Sequence, residues 1–151
     1  MTEADVLTRM LHAADALDWG TVRGVLADEV LADYTSLAGG EPETLAAADL
    51  IARWQGLLPG FDATQHLTGP VLLTADGGPG VRADTHVVAW HRIAGTDGGA
   101  TWAVHGHYTA RVVDGRITEL TLTVFFTDGN LDLPRLATER AASGSGRTPG
   151  G

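Results

Sequence analysis

Four side chains of this chain have the types and setting to do chemistry together: imidazoles at His66 and His91, a carboxylate at Asp15 and a phenol at Tyr34. His66 lies in Ala63-Thr64-Gln65-His66-Leu67-Thr68, where β-branched and polar residues alternate with the period of a strand. That alternation sets Thr64, His66 and Thr68 on one face and Gln65 with Leu67 on the other. In the run 81–94 the apolar set Val81, Ala83, Val87, Ala89 and Ile93 has the parity of His91. His91 therefore looks inward, among small residues that leave room around it. Tyr34 shares a face with Ala32 and Ser36 in a strand read over 30–36, with Asp33 on the opposite face. Asp15 lies just beyond the apolar stripe of the first helix, so periodicity leaves its direction open.

General acid–base chemistry fits this set best. An Asp–His pair can hold one imidazole as base, a second histidine can act as acid or donor, and Tyr34 can fix a water or a carbonyl oxygen. Two imidazoles and a carboxylate could also hold a metal ion, but no tight His-x-His spacing points inward. His105-Gly106-His107 has that spacing, yet both side chains fall on the outer face, as does His86. The glycine-rich turns are not phosphate cradles, because no helix follows them. No serine sits on a nucleophile elbow. There is no cysteine, hence no thiol nucleophile, thiolate metal site or disulfide. No metal or other cofactor is expected.

The elements that must position these residues follow from the apolar periodicity. Val6, Leu7, Met10, Leu11, Ala14 and Leu17 form the stripe of a helix over 4–17, and Asp18 caps a short helix over 19–26. A third helix is predicted over 42–57, with Pro42 in its first turn and Pro59-Gly60 beyond its end. Four strands follow at 63–74, 81–94, 100–113 and 117–127, joined by Asp- and Gly-rich turns into an antiparallel meander. A three-residue turn at Asp114-Gly115-Arg116 would pair Arg111 with Glu119 and keep two apolar faces together. Helices followed by such a sheet make an α+β fold with helices packed on one sheet face. The inner face then lines an apolar pocket, with Trp54, Trp102, Val104, Tyr108, Leu122 and Phe126 around the polar groups.

Length fits one domain, residues 1–136, with a Gly/Ser/Pro-rich tail at 137–151 expected to be disordered. Hydrophobic residues at 44% suffice for a core, and a net charge of −9 argues against nucleic acid or an anionic membrane as partner. Neither a signal peptide nor a membrane-length apolar run is evident, so a soluble, cytoplasmic protein is expected. The outer sheet face carries Val88, Trp90, Ala103, Thr121, Thr123 and Phe125, too apolar for free solvent, which predicts a homodimer or trimer.

Asp15-Ala16-Leu17-Asp18-Trp19, Ala32-Asp33-Tyr34-Thr35-Ser36-Leu37 and Thr64-Gln65-His66 resemble the SnoaL-like group of the nuclear transport factor 2-like superfamily, and within it scytalone dehydratase. The similarity spans roughly residues 4–135. It implies a cone made of a curved sheet wrapped by helices around a deep apolar pocket. By matching position, the dehydratase's catalytic aspartate falls on Asp15, a tyrosine on Tyr34, and its two histidines on His66 and His91. Its second tyrosine is Ala14 here, and its polar residues on the fourth long strand are replaced by Ala110 and Val112. Aldol cyclases of the group place an aspartate where this chain has Leu122-Thr123-Val124. Ketosteroid isomerases, similar in fold, have their base near Asp33, which makes Asp33 the alternative base if a bulge turns it inward. The resemblance implies a cofactor-free lyase or isomerase acting on a small apolar, polyketide-like carbonyl compound. His66 would be the base and Asp15 its orienting partner, with His91 and Tyr34 as donors. The alternative is a non-catalytic small-molecule-binding or dimerisation domain of the same fold.

Overall fold

The structure, a computed structural model, describes residues 1–149. The first helix, α1 (Glu3–Asp15), buries Val6, Leu7, Met10, Leu11 and Ala14 along one face. Each large member of that stripe contributes about 1.5–3 kcal/mol on leaving water. Asp18 accepts the Thr21 N–H at 3.1 Å and so starts α2 (Trp19–Val25), as its spacing predicts. Strand β1 (Leu26–Asp33) begins earlier than expected and stops before Tyr34, where a short helix, α3 (Thr35–Ala38), begins. The Asp33 carboxylate causes that stop: it accepts the Thr35 N–H at 3.1 Å and the Thr35 hydroxyl at 2.6 Å. Asp33, expected as the alternative base, is thus committed to a local turn and does not line the pocket.

The helix predicted over 42–57 is shorter. Residues Glu43–Ala46 form β2, and α4 spans Ala47–Gln55. Pairing Val30 with Leu45 and Ala32 with Glu43 gives these residues backbone partners that a helical first turn leaves unmade. A 3-10 turn (Leu58–Gly60) leads to β3 (Ala63–Thr68). Gly69-Pro70 then interrupts the expected 63–74 strand, because proline has no N–H for the ladder, and β4 (Leu72–Thr74) resumes. Both pieces pair antiparallel with β5 (Val81–Arg92), which continues into β6 (Thr101–Val113) and β7 (Arg116–Gly129).

The sheet is curved and unclosed, in the order β2-β1-β7-β6-β5-β3 with β4 also on β5. It is antiparallel except at β1 and β7, which run parallel. The long intervening chain permits that pairing. As parity predicts, Trp102, Val104, Gly106, Tyr108, Ala110 and Val112 all face inward and are buried.

Two bulges in β7 set what reaches the pocket. The β6–β7 turn has only two central residues, Asp114 (φ 50) and Gly115 (φ 74), pairing Val113 with Arg116. Such left-handed pairs match the twist of a hairpin. A bulge at Thr118 then restores the predicted Arg111–Glu119 pair. The second bulge inserts Phe125, so that His105 pairs with Phe126 while Gly106 pairs with Val124. One extra residue reverses the parity beyond it. Phe126, expected in the pocket, is therefore 54% exposed on the outer face, stacked on His105 at 4.2 Å. Gly106 permits this close approach, since a Cβ there would lie 2.2 Å from the Thr123 carbonyl oxygen.

The tail expected to be disordered from 137 is instead ordered. A fifth helix, α5 (Leu133–Ser143), has Leu133 and Ala137 fully buried and ends at Gly144 in the left-handed region (φ 73). Gly60 backs directly against it, where a Cβ would meet the Ala137 carbonyl. Residues 150 and 151, the last of the predicted tail, lie outside the described residues. Among the described residues no helix is long and apolar enough to cross a membrane.

Candidate active site

Between the inner sheet face and helices α1, α3 and α4 lies a cavity of about 330 Å³. His66, His91, Tyr34, Trp54, Trp102, Val104, Tyr108 and Leu122 all line it, whereas Phe126 and Asp33 do not. Ala14 also lines it, from α1. Asp15, the last residue of α1, sits behind His66.

The direction that periodicity left open for Asp15 is decided by β3. Asp15 Oδ1 lies 2.7 Å from His66 Nδ1, and Oδ2 accepts the His66 backbone N–H at 2.8 Å. The Thr64 hydroxyl donates to Oδ1 at 2.9 Å. Burial pushes the Asp15 pKa up, but the hydrogen bonds and charge of His66 and the hydroxyl of Thr64 outweigh it, holding the carboxyl below its ordinary value. An ionised carboxylate can only accept, so Nδ1 of His66 carries the proton. In the neutral ring Nε2 is then a free base. This is the arrangement by which a carboxylate fixes the tautomer of a general-base imidazole.

His91 is set differently. Its Nδ1 lies 3.1 Å from the Trp102 carbonyl oxygen, its ring 4.4 Å from the Trp102 ring and 4.8 Å from Phe61. Burial first, and then the nearby His66, push its pKa down to about 4. His91 is thus neutral at pH 7, and the carbonyl, which cannot donate, takes the Nδ1–H. Nε2 is left as an acceptor, so the donor role predicted for His91 does not fit its surroundings. The two rings are 6.2 Å apart, and of the two only His66 has a carboxylate beside it.

The donors are the phenols. Tyr34 and Tyr108 meet with their hydroxyl oxygens 3.1 Å apart. Burial pushes Tyr108 up to about 12 and Tyr34 well above its ordinary value, so both stay protonated. One O–H binds the other oxygen, and the second is free for a ligand. Trp54 braces Tyr34 edge-on at 6.5 Å. At the exposed rim Arg53 pairs with Glu43 at 2.7 Å.

The alternation puts Thr64 on the face of His66 but gives no sign that its hydroxyl binds Asp15, and the parity of β6 places Tyr108 in the wall without marking its contact with Tyr34. Glu43 and Arg53 carried no signal, because the rim forms only when β2 pairs with β1.

The profile of the SnoaL-like domain matches residues 4–116. A protein of Kribbella flavida, Kfla4162, has a similar structure with TM-score 0.76 and 26% identity, over 89% of this chain and 93% of that one. A candidate scytalone dehydratase from Novosphingobium aromaticivorans DSM 12444 superposes with TM-score 0.66 and 14% identity, over 83% of each chain. A type 2 hexachlorocyclohexane dehydrochlorinase, LinA, gives TM-score 0.62 and 17% identity, over 83% of this chain and 84% of that one. No functionally curated protein matches the sequence significantly.

Proposed function

Because the chain belongs to the SnoaL-like domain family, in the nuclear transport factor 2-like superfamily, we propose that it is a cofactor-free lyase or isomerase acting on a neutral, cyclic, polyketide-like carbonyl compound. The observation that carries this reading is the 2.7 Å contact of Asp15 with His66, whose ring lines an otherwise apolar cavity. An imidazole so held removes a proton from the carbon next to a carbonyl. The free phenol of the Tyr34–Tyr108 pair donates to the carbonyl oxygen as negative charge develops there. His91 Nε2 accepts from a substrate hydroxyl and so orients the ring. The proton on His66 then goes to a departing β-oxygen, releasing water, or returns to a different carbon, giving an isomer.

Size and polarity narrow the substrate. A cavity of about 150 Å³ holds one benzene, so this one, near 330 Å³, suits two or three fused rings. The buried phenols and the neutral His91 offer no cation to a carboxylate or phosphate deep in the cavity, and Arg53 at its rim is already paired with Glu43. Two structural neighbours carry names of a dehydratase and a dehydrochlorinase, and this reading puts the present chain in the same broad class of elimination chemistry.

Ala14, standing where the dehydratase has its second tyrosine, favours the rival reading of a non-catalytic binding domain. One experiment separates the two. Bicyclic ketones are incubated with the protein in deuterium oxide, and deuterium incorporation is followed by mass spectrometry. The enzyme reading expects catalysed exchange next to the carbonyl, lost in His66→Ala. Tight binding without exchange supports the binding module.

A further inference from the structure

The segment after α5 brings Arg147 against the elements that hold the Asp15–His66 pair. After Gly144 turns the chain back from α5, the Ser145 N–H donates to the Arg140 carbonyl at 2.9 Å and the Arg147 N–H to the Pro59 carbonyl at 2.8 Å. Gly146 packs so tightly on the 3-10 turn that a Cβ would stand 2.0 Å from the Pro59 carbonyl oxygen. A sequence that reads as a flexible linker is here a fitted strap. It delivers one side chain.

The Arg147 guanidinium, half-buried, donates in three directions. Nη1 reaches the Asp15 backbone carbonyl at 2.6 Å, Nε the Phe61 carbonyl at 3.2 Å, and Nη2 the Thr64 hydroxyl oxygen at 3.0 Å. The first satisfies the last carbonyl of α1 and places a cation at a helix C-terminus, where the dipole favours it. The third has a chemical consequence. Guanidinium cannot accept, so the Thr64 oxygen must accept from it, and the only hydroxyl hydrogen points to Asp15 Oδ1, 2.9 Å away. Donors thus converge on the Asp15 carboxylate from two sides, Arg147 through the Thr64 hydroxyl on one and His66 Nδ1–H on the other. Burial costs the guanidinium, and the Asp15 charge offsets part of that cost.

We infer that Arg147 is a positioning residue for the Asp15–His66 pair. From 132 residues away in sequence it fixes the Thr64 proton on the carboxylate and clamps α1 to β3 where the pair meets. This rests on the reading of His66 as base, but its test does not require turnover. The readouts are the proton resonance of His66 Nδ1–H and hydrogen exchange of the His66 backbone amide, both of which end on Asp15. In Arg147→Ala the Nδ1–H signal should move upfield or broaden into exchange with water. The amide should exchange roughly tenfold faster, the scale of one lost charge-assisted bond, while the Tyr108 and Val104 amides of β6 keep their protection. Thr64→Val should reproduce the change, and adding Arg147→Ala to it should have little further effect. Arg147→Lys, which reaches one acceptor instead of three, should fall between. Unchanged His66 signals in Arg147→Ala would overturn the inference. So would equal loss of protection throughout the sheet, or full additivity with Thr64→Val. If the His66 signals respond as expected but no ketone is ever exchanged, the clamp stands and the catalytic reading falls.

Discussion

At the scale of single residues, the cavity contains two imidazoles with opposite surroundings, and this leads to three predictions. His66 has a carboxylate behind it and a free Nε2 in front. Removing it in His66→Ala should lower proton exchange or turnover by about a hundred-fold or more, the usual scale for a lost general base. Asp15→Asn should lower kcat with little change in KM, because under the proposed mechanism the carboxylate touches the base and not the substrate. Steady-state kinetics on any exchanged ketone checks both. His91, pushed down to about 4 by burial, affects stability through pH. Its folded-state pKa lies below the unfolded value of about 6.5, so the unfolded chain takes up this proton first as pH falls. Stability should therefore decline between about pH 6.5 and pH 4, by up to roughly 3 kcal/mol from this group. Urea titrations at pH 7 and pH 4.5 should show a smaller decline for His91→Gln than for the parent protein. Asp15, behind His66, has a lowered pKa that affects stability only as pH falls through the carboxylate range, below this window.

At the scale of elements, the backbone irregularities decide which side chains meet. The Phe125 bulge ends the inner face of β7 short of Phe126 and leaves two phenylalanines outside. The close approach of Gly60 to α5 fixes that helix and, with it, the strap that carries Arg147. Gly60→Ala would place a methyl group against the Ala137 backbone carbonyl, which cannot rotate aside. It should cost about 1–3 kcal/mol, the range for overpacking a filled site. Thermal melting checks the loss. Hydrogen exchange should place its first effect in residues 133–147 and only then at His66.

At the scale of the whole molecule, the outer sheet face is unlike an ordinary solvated surface. Trp90 is 40% and Phe125 58% exposed there, beside Phe126, His86, His105 and His107. Ala103, opposite Trp90 in the ladder, is fully buried. We propose that a second copy of the chain covers this face. Light scattering at micromolar concentration should give twice the chain mass, and Trp90→Asp with Phe125→Asp should give the monomer while leaving the cavity intact. A parent protein that scatters as a monomer would remove the proposal.

The division between sequence and tertiary structure follows from which forces are local. Helix stripes, strand alternation and turn residues depend on neighbours a few positions apart. The α+β class, the inner face of β6 and the inward set of His66, His91 and Tyr34 were therefore legible in the sequence. Asp15 was not, since its direction depends on the strand that passes beneath α1. Its role could be assigned only through the family resemblance. The Phe125 bulge escaped for a related reason: a period-two pattern continues through an inserted residue without any mark in composition. The tail misled most, because Gly, Ser and Arg in an isolated segment have no apolar surface to order them. Only when α5 docks on Gly60 does the strap meet the carbonyls of Asp15, Pro59 and Phe61. Hydrogen-bond pairing between segments distant in the chain is a property of the folded surface, and no local pattern encodes it.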